Sequence, residues 1–196
     1  MATCVVTNNV EIECADESAN AGLQSIYFAY ASQLTAEPTL GIAEHTVTGV
    51  VLNGAELFVE MQGRFETKDI TTEMTRENGG RRVERTLNCF IPNVEKVKAN
   101  LLNEYSQGKK LFLIVSSYNK AGATNKRAYV FGYDSEFGKK DSGAMMNVGE
   151  IVEAEVGGQI GYNIVFTAVA QEPMREMEGT ITVEDGATGT AIVFGV

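Results

Sequence analysis

With 196 residues, of which 44% are hydrophobic, the chain is long enough for one domain with a sizeable core and too apolar for general disorder. Its formal net charge of −10 argues against a protein that grips nucleic acid through the phosphates, because such proteins collect lysine and arginine. The same charge is compatible with a surface past which nucleic acid slides without adhering.

Residue types that commonly build catalytic, metal or disulfide sites are sparse. Cys4, Cys14 and Cys89 form no CxxC pair or zinc pattern, and their odd number excludes a full disulfide framework. The N-terminus lacks the basic and long apolar regions of a secretory signal, and no apolar run approaches the roughly 18 residues that span a bilayer. We therefore expect a soluble protein made in a reducing cytoplasm, without a membrane partner, cofactor or metal ion.

Alternation of apolar and polar residues predicts strands in the first third of the chain. Leu23–Tyr30 and Thr46–Leu52 are two of them, and Asn53-Gly54 is a turn dipeptide that ends the second. A further half-buried strand is predicted over residues 56–65, with one apolar face. That face consists of Leu57, Val59, Met61, Gly63 and Phe65.

A long β-hairpin is predicted over residues 69–91, because two alternating arms meet at Asn78-Gly79-Gly80. The apolar positions change from odd to even numbers before the first arm, which predicts a bulge near residues 66–68. Each arm of about ten residues spans roughly 30 Å, which is more than a sheet needs to cross a small core. Arg85 interrupts the apolar row of the second arm.

An isolated hairpin is marginal in water and its edges invite pairing, so we expect neighbouring copies of the chain to complete this sheet. Copies in a ring would close the edges, with one face packed and the other lining a hole. The expected inter-subunit residues are Ile70, Met74, Val83, Leu87 and Ile91, and the expected lumen-facing residues are Glu73, Glu77 and Glu84.

One helix is predicted over residues 93–106, directly after Pro92. Asn93 is the expected N-cap and Gly108 the expected stop. One apolar stripe runs along it and is expected to pack on the sheet, the alternative being a helix that binds a partner. The stripe consists of Val94, Val97, Leu101, Leu102 and Tyr105.

The remaining elements are predicted hairpins. Strands over residues 110–118 and 127–133 form one, and strands over 150–156 and 159–171 form another, turning at Gly157-Gly158. A small hairpin after Pro173 is interpreted as a C-terminal extension, residues 175–196, beside a main domain of residues 1–174. Many short strands with one helix predict a mainly β fold, a sandwich or barrel.

For each residue that could take part in catalysis or ligand binding, a purely structural role explains the sequence better. The glycines near 157–161 match no phosphate-loop spacing, and Glu150, Glu153 and Glu155 do not share one strand face. The segment Lys139–Ser142 fits a mobile loop better than a phosphate site. His45 is expected at the surface and Cys89 in the packing of the hairpin. We therefore predict a protein that is not an enzyme.

Three stretches carry a resemblance to a known family. Residues 14–29 (CADESANAGLQSIYFA), 80–92 (GRRVERTLNCFIP) and 157–174 (GGQIGYNIVFTAVAQEPM) are similar to segments of bacteriophage tail tube proteins, the major tail proteins of phages of Bacteroidetes-like hosts. The order of strand, Asn-Gly turn, long hairpin with a Gly-Gly tip and Pro-initiated helix also resembles that family. The likeness covers about Cys14 to Met174, and residues after Met174 lie outside it.

The resemblance implies a noncatalytic virion protein made in the bacterial host. Its subunits would form stacked hexameric rings that contact other tail proteins and conduct DNA into the host without binding it specifically. Residues 118–126, residues 137–149 and the two chain ends are the expected contacts between rings. A tail terminator, a neck ring protein and a capsid decoration protein are alternatives from the same virion.

A monomeric β-sandwich that binds a small ligand or a carbohydrate is the alternative outside the virion. The chain has no tryptophan and only 8% aromatic residues, so stacking platforms for sugars are scarce.

Overall fold

The computed structural model describes residues 23–41, 45–61, 69–77, 80–121, 125–152, 160–185 and 189–195. The predicted bulge at 66–68, the hairpin tip at 78–79, the turn at 157–158, and Gly63 and Phe65 lie outside these ranges. The strands in chain order are β1 Leu23–Tyr30, β2 Thr39–Leu40, β3 Thr46–Gly49, β4 Val59–Met61, β5 Asp69–Glu77, β6 Gly80–Pro92, β7 Leu111–Ala121, β8 Asn125–Phe131, β9 Met145–Val152, β10 Ile160–Ala170, β11 Arg175–Met177, β12 Gly179–Val183 and β13 Thr190–Phe194. The helices are α1 Lys96–Tyr105 and α2 Gly138–Asp141, with a 3-10 turn at Ala31–Gln33.

Two sheets face each other as a β-sandwich, which confirms the predicted mainly β fold. The small sheet has the strand order β5-β6-β10-β9, and the large sheet has nine strands, with the order β2-β3-β11-β8-β7-β1-β4 and with β13 paired to β8 and to β12. Alternate side chains of β10, including Ile164 and Phe166, point from the small sheet into the first core. Ile26, Phe28 and Leu113 reach the same core from the large sheet. The period-two pattern therefore places one face of each sheet inside the sandwich.

A second core lies on the other face of the large sheet. Tyr27 on β1, together with Phe112 and Ile114 on β7, points into it. Neighbouring residues of the same strands point into the first core. These strands are buried on both faces, which explains their unbroken apolar runs in the sequence.

The C-terminal hairpin, β12 with β13, forms a wall of this second core. Phe194 pairs with Lys126 of β8, and Val183 pairs with Phe58, the residue before β4. The N–H of Phe58 donates to the carbonyl of Thr182 at 3.0 Å. The strands therefore follow one another around a closed circuit, in the order β4, β1, β7, β8, β13 and β12. The single residue pairs Phe194–Lys126 and Val183–Phe58 close this circuit. The segment that was expected to extend beside the main domain forms the predicted hairpin, but it lies within the large sheet.

Helix α1 begins at Lys96, three residues later than predicted. Asn93 is not the N-cap, because its φ of 67° is left-handed and its N–H donates to the carbonyl of Ile160 at 3.0 Å. Gly108, with a φ of 78°, follows the helix as expected. Tyr105 meets Phe28 edge to face, with ring centroids 4.8 Å apart. None of the helices in the described ranges is long and apolar enough to cross a membrane.

Candidate inter-subunit surface

The small sheet ends in two strands that each have one strand neighbour within the described residues. β5 pairs with β6 through nine residue pairs, from Asp69–Asn88 to Glu77–Gly80, and β9 pairs with β10. The outer sides of β5 and β9 receive no strand in the described parts of the chain. Such edges carry rows of backbone N–H and C=O groups that another strand can pair with.

The second arm of the predicted hairpin lies inside the subunit. β6 pairs with β5 on one side and, from Val83 to Pro92, with β10 on the other. Val83 and Leu87 are fully buried, and Leu87 belongs to the first core. The prediction that these two side chains contact neighbouring subunits is therefore wrong, because the subunit's own β10 and core already occupy them.

The other expected contact residues lie nearer the surface. Ile70 and Ile91 are half-buried and pack against the edge of the first core. Met74 on β5 is 54% exposed, although Val83, its cross-strand partner, is buried. Met74 is therefore the member of the predicted set whose side chain is most available to a second molecule.

On β5 and β6 the outward face of the small sheet is polar and carries the expected lumen residues, whereas Val169 of β10 and Met145 of β9 expose hydrophobic side chains on it. Glu73 and Glu84 lie directly opposite each other on β5 and β6, and both are exposed. Arg82 forms an ion pair with Glu84 at 2.7 Å. Glu77 is the last residue of β5, and its side chain lies outside the described part of the structure. The structure therefore places Glu73 and Glu84 on one solvent-facing surface, away from the core.

A row of threonines continues this face from β5 to β10. Thr71 of β5 pairs with Thr86 of β6, and Thr86 pairs with Thr167 of β10. Short hydroxyl side chains pack well on a pleated surface and leave it hydrated.

Arg85 is a buried charged residue on the inward face of β6, and it is 1% exposed. Its Nη1 donates to the carbonyl of Tyr133 at 3.5 Å, and its Nη2 donates to the carbonyl of Glu172. No partner of its Nε lies among the described residues. The guanidinium thus ties the hairpin to the loop after β8 and to the segment after β10.

Asp134 organises the loop that Arg85 contacts. Its carboxylate is fully buried and accepts the N–H groups of Glu136 at 2.9 Å and Glu172 at 3.3 Å, among others. Ser142 exchanges hydrogen bonds of 3.0 Å with the backbone of Asp134. The sequence reveals only the interruption by Arg85, because its partners lie about 50 and 90 residues away in the chain and no local pattern identifies them.

Ionisation in this region follows burial and pairing. Burial lowers the pKa of Arg85, although the negative charges of Asp134 and Glu172 oppose that shift. Burial alone would raise the pKa of Glu172, but hydrogen bonds from Arg175 and Ser135 outweigh it and leave the pKa lowered. Arg175 lies 2.6 Å from Glu172 in an ion pair of which both side chains are mostly buried.

The predicted stripe of helix α1 divides between core and surface. Leu102 is buried, whereas Val97 is 69% and Leu101 46% exposed. A groove of about 210 Å³ runs between this helix and β4, lined by Leu101, Met61 and Ile91 among others. The prediction that the stripe packs on the sheet therefore holds for its buried part alone.

The other candidate residues are placed as follows. His45 Nε2 donates a hydrogen bond at 2.9 Å to the carbonyl of Pro173, and Cys89 is buried in the first core. Glu150 is exposed on β9, and residues 153 and 155 lie outside the described ranges. Lys139 and Lys140 belong to helix α2, which replaces the expected loop. Within the described residues, no group of three or more His, Cys, Asp or Glu side chains is arranged to hold a metal ion.

Comparison of the chain with family models, curated proteins and solved structures gives no significant match.

Proposed function

We propose that this protein is a subunit of a bacteriophage tail tube, which assembles into stacked hexameric rings and conducts DNA into the host. The open edges of the small sheet carry this proposal. β5 and β9 differ in sequence and lie at opposite edges of the sheet, so β5 of one copy meets β9 of the next in a head-to-tail contact. Contacts of this kind generate a closed ring when the rotation between copies closes.

The strand directions favour such a ring. β5, β6, β10 and β9 alternate in direction, since every pair in the small sheet is antiparallel. A sheet with an even number of alternating strands continues antiparallel when β9 meets β5 of a neighbour. Six copies would thus build a barrel of about 24 strands, which is wide enough for an open channel. Closure would also remove both exposed edges.

The outward face of the small sheet suits the wall of a DNA conduit. It is rich in threonine, and the acidic Glu73 and Glu84 outnumber the nearby Arg82. Acidic residues repel phosphates and neutral hydroxyl groups offer them no opposite charge, so DNA passes without adhering. The chain's net charge of −10 acts in the same direction.

Electron microscopy of the concentrated protein, with and without a preformed tail initiator, tests the proposal. We expect rings with a central hole that stack into tubes of varying length. A protein that remains monomeric under both conditions contradicts the proposal, and assembly that always stops at one ring identifies a terminator or neck protein instead.

Proline variants of the β5 edge sharpen this test. In an edge strand, successive N–H groups alternate between the paired and the open side, so one of Thr71→Pro and Thr72→Pro removes an outward donor. That variant should keep the folded subunit and lose the rings, whereas the other should destabilise the β5–β6 pairing. Rings formed by both variants would contradict pairing through β5.

A further inference from the structure

The sequence contains Gly-Lys-Lys twice, at residues 108–110 and 138–140. In both copies the glycine has a positive φ, 78° at Gly108 and 66° at Gly138, which turns the chain just before the lysines. The fold brings the two pairs together around one cleft of about 480 Å³. We call it the lysine cleft; it is lined by Ala31, Ser32, Leu34, Lys109, Lys110, Lys139 and Lys140.

Neutral groups hold these ammonium ions in place. Lys139 Nζ donates to the carbonyls of Leu34 and Thr35 at 2.7 and 2.8 Å, and Lys110 Nζ donates to the carbonyl of Asp141 at 2.7 Å. Lys109 Nζ lies over the ring of Tyr30, 4.5 Å from its centroid. Carbonyl oxygens and an aromatic ring orient a cation without cancelling its charge.

The carboxylate of Glu37, near the lysine cleft, bonds to neutral groups. Glu37 accepts the backbone N–H of Lys139 at 2.8 Å and the hydroxyl of Tyr133 at 3.3 Å. Within the described ranges, none of the four lysines of the cleft forms an ion pair with a carboxylate. Four positive charges thus converge on one cleft of a chain that is acidic as a whole, which fits an acidic ligand.

The chain itself contains an acidic segment of matching charge. Residues 1–22 include no lysine or arginine, and they join the described fold at Leu23. Tyr30, at the other end of β1, borders the lysine cleft, so about 23 Å of strand separates the cleft from Leu23. The acidic residues of the segment are Glu11, Glu13, Asp16 and Glu17.

We propose that the lysine cleft binds residues 11–17 of a second copy of this chain and thereby links successive rings. The proposal rests on the proposed tube function, in which stacked rings bring the segment before β1 of one copy close to the lysine cleft of the next. Single exposed ion pairs contribute little to binding. Several pairs in every subunit of a ring act together, so the contact strengthens with the number of copies.

Disulfide trapping between chains tests this contact, because Cys14 lies within the acidic segment. One chain carries Lys140→Cys with Cys4→Ser and Cys14→Ser, and the other carries Cys4→Ser alone. Cys89 is buried, so a disulfide between the two chains reports on Cys14 against position 140. A chain with Lys96→Cys in place of Lys140→Cys is the control, since Lys96 is exposed on helix α1.

We expect a yield of cross-linked pairs about tenfold above the Lys96→Cys control, because docking raises the effective concentration of the two thiols. The yield should fall to the control level at 1 M salt, where the screening length is about 3 Å, and in a chain with all four acidic residues of the segment replaced by their amides. Equal yields for positions 140 and 96 would overturn the proposal. So would a disulfide that forms only when Cys14 and position 140 share one chain.

Electron microscopy of the same samples separates this inference from the tube function. Tubes without cross-linking would overturn the docking of the acidic segment and leave the conduit. Cross-linked pairs without rings or tubes would overturn the conduit and support the docking. Binding of a single-stranded oligonucleotide that is lost in the double variant Lys139→Gln, Lys140→Gln, without cross-linking, would identify nucleic acid as the occupant and overturn the proposal.

Discussion

Leu87→Asp and Met74→Asp separate folding of the subunit from its assembly. Leu87 is fully buried in the first core, so loss of its packing costs about 2–5 kcal/mol, and a carboxylate in its place adds a desolvation penalty of several kcal/mol. The sum approaches the whole stability of a typical domain, about 5–15 kcal/mol. Met74 is 54% exposed, so its replacement removes about 1 kcal/mol of burial. We expect Leu87→Asp to unfold the subunit and Met74→Asp to leave it folded but unable to form rings.

Urea denaturation followed by circular dichroism measures the first effect, and electron microscopy of concentrated protein measures the second. Thr180→Asp, an exposed position on β12, controls for the added charge and should preserve the midpoint of unfolding. A Leu87→Asp subunit that stays folded would refute the placement of β6 in the core. Normal rings from Met74→Asp would remove Met74 from the contact between subunits.

Three further predictions concern the buried polar groups. Arg85→Met should cost about 3–5 kcal/mol in urea denaturation, because buried carbonyl oxygens and carboxylates lose their cation, whereas the exposed Arg82→Met should cost less than about 0.5 kcal/mol. Glu172→Gln should flatten the acid side of the stability profile. The pKa of Glu172 is lowered in the folded protein, so its contribution to the free energy of unfolding is full above the unfolded pKa and disappears as pH falls through the folded pKa. If the difference in free energy of unfolding between variant and wild type were the same at neutral pH and at pH about 3, this prediction would be contradicted. The pKa of Tyr133 is raised to about 12 by burial first and by Glu37 second, so Glu37→Gln should lower it while leaving it above the ordinary value, as measured by phenolate absorbance. A titration identical to wild type would exclude the influence of Glu37.

Local patterns in the sequence were sufficient for the mainly β fold and for most of its strands, although β2 was not predicted and β9 begins at Met145 rather than at residue 150. Strand β1 was predicted with the bounds that the structure has, because its apolar run follows Gly22 and ends before a polar stretch. The alternation along residues 69–91 also gave the correct faces, since Val83 and Leu87 point one way and Glu73 and Glu84 the other. Periodicity reports which side chains share a face, and this information is local.

Which element packs against a given strand face is not encoded locally, and the prediction that Val83 and Leu87 contact neighbouring subunits was wrong for this reason. An apolar row on β6 looks the same whether a neighbouring subunit or β10 lies beside it, and β10 is separated from β6 by helices α1 and α2 and three strands. The lysine cleft is a similar case, because two Lys-Lys pairs 30 residues apart form one site only when the fold brings Lys110 next to Lys140. Pairing over such separations depends on packing of the whole chain, and single-sequence patterns do not encode it in any one window.

The two arms of the hairpin therefore differ in how their order is maintained. β6 has strand neighbours on both sides and the first core beneath it, so its order is a property of the single subunit. β5 is held by β6 alone among the described strands, and its residues 71–76 are exposed. Strands held on one side open at lower free energy than core strands, so amide hydrogens of β5 should exchange much faster than those of β6 in the monomer. Assembly through β5 would slow that exchange to the rate of β6, and equally fast exchange in rings and monomers would show that β5 gains no partner.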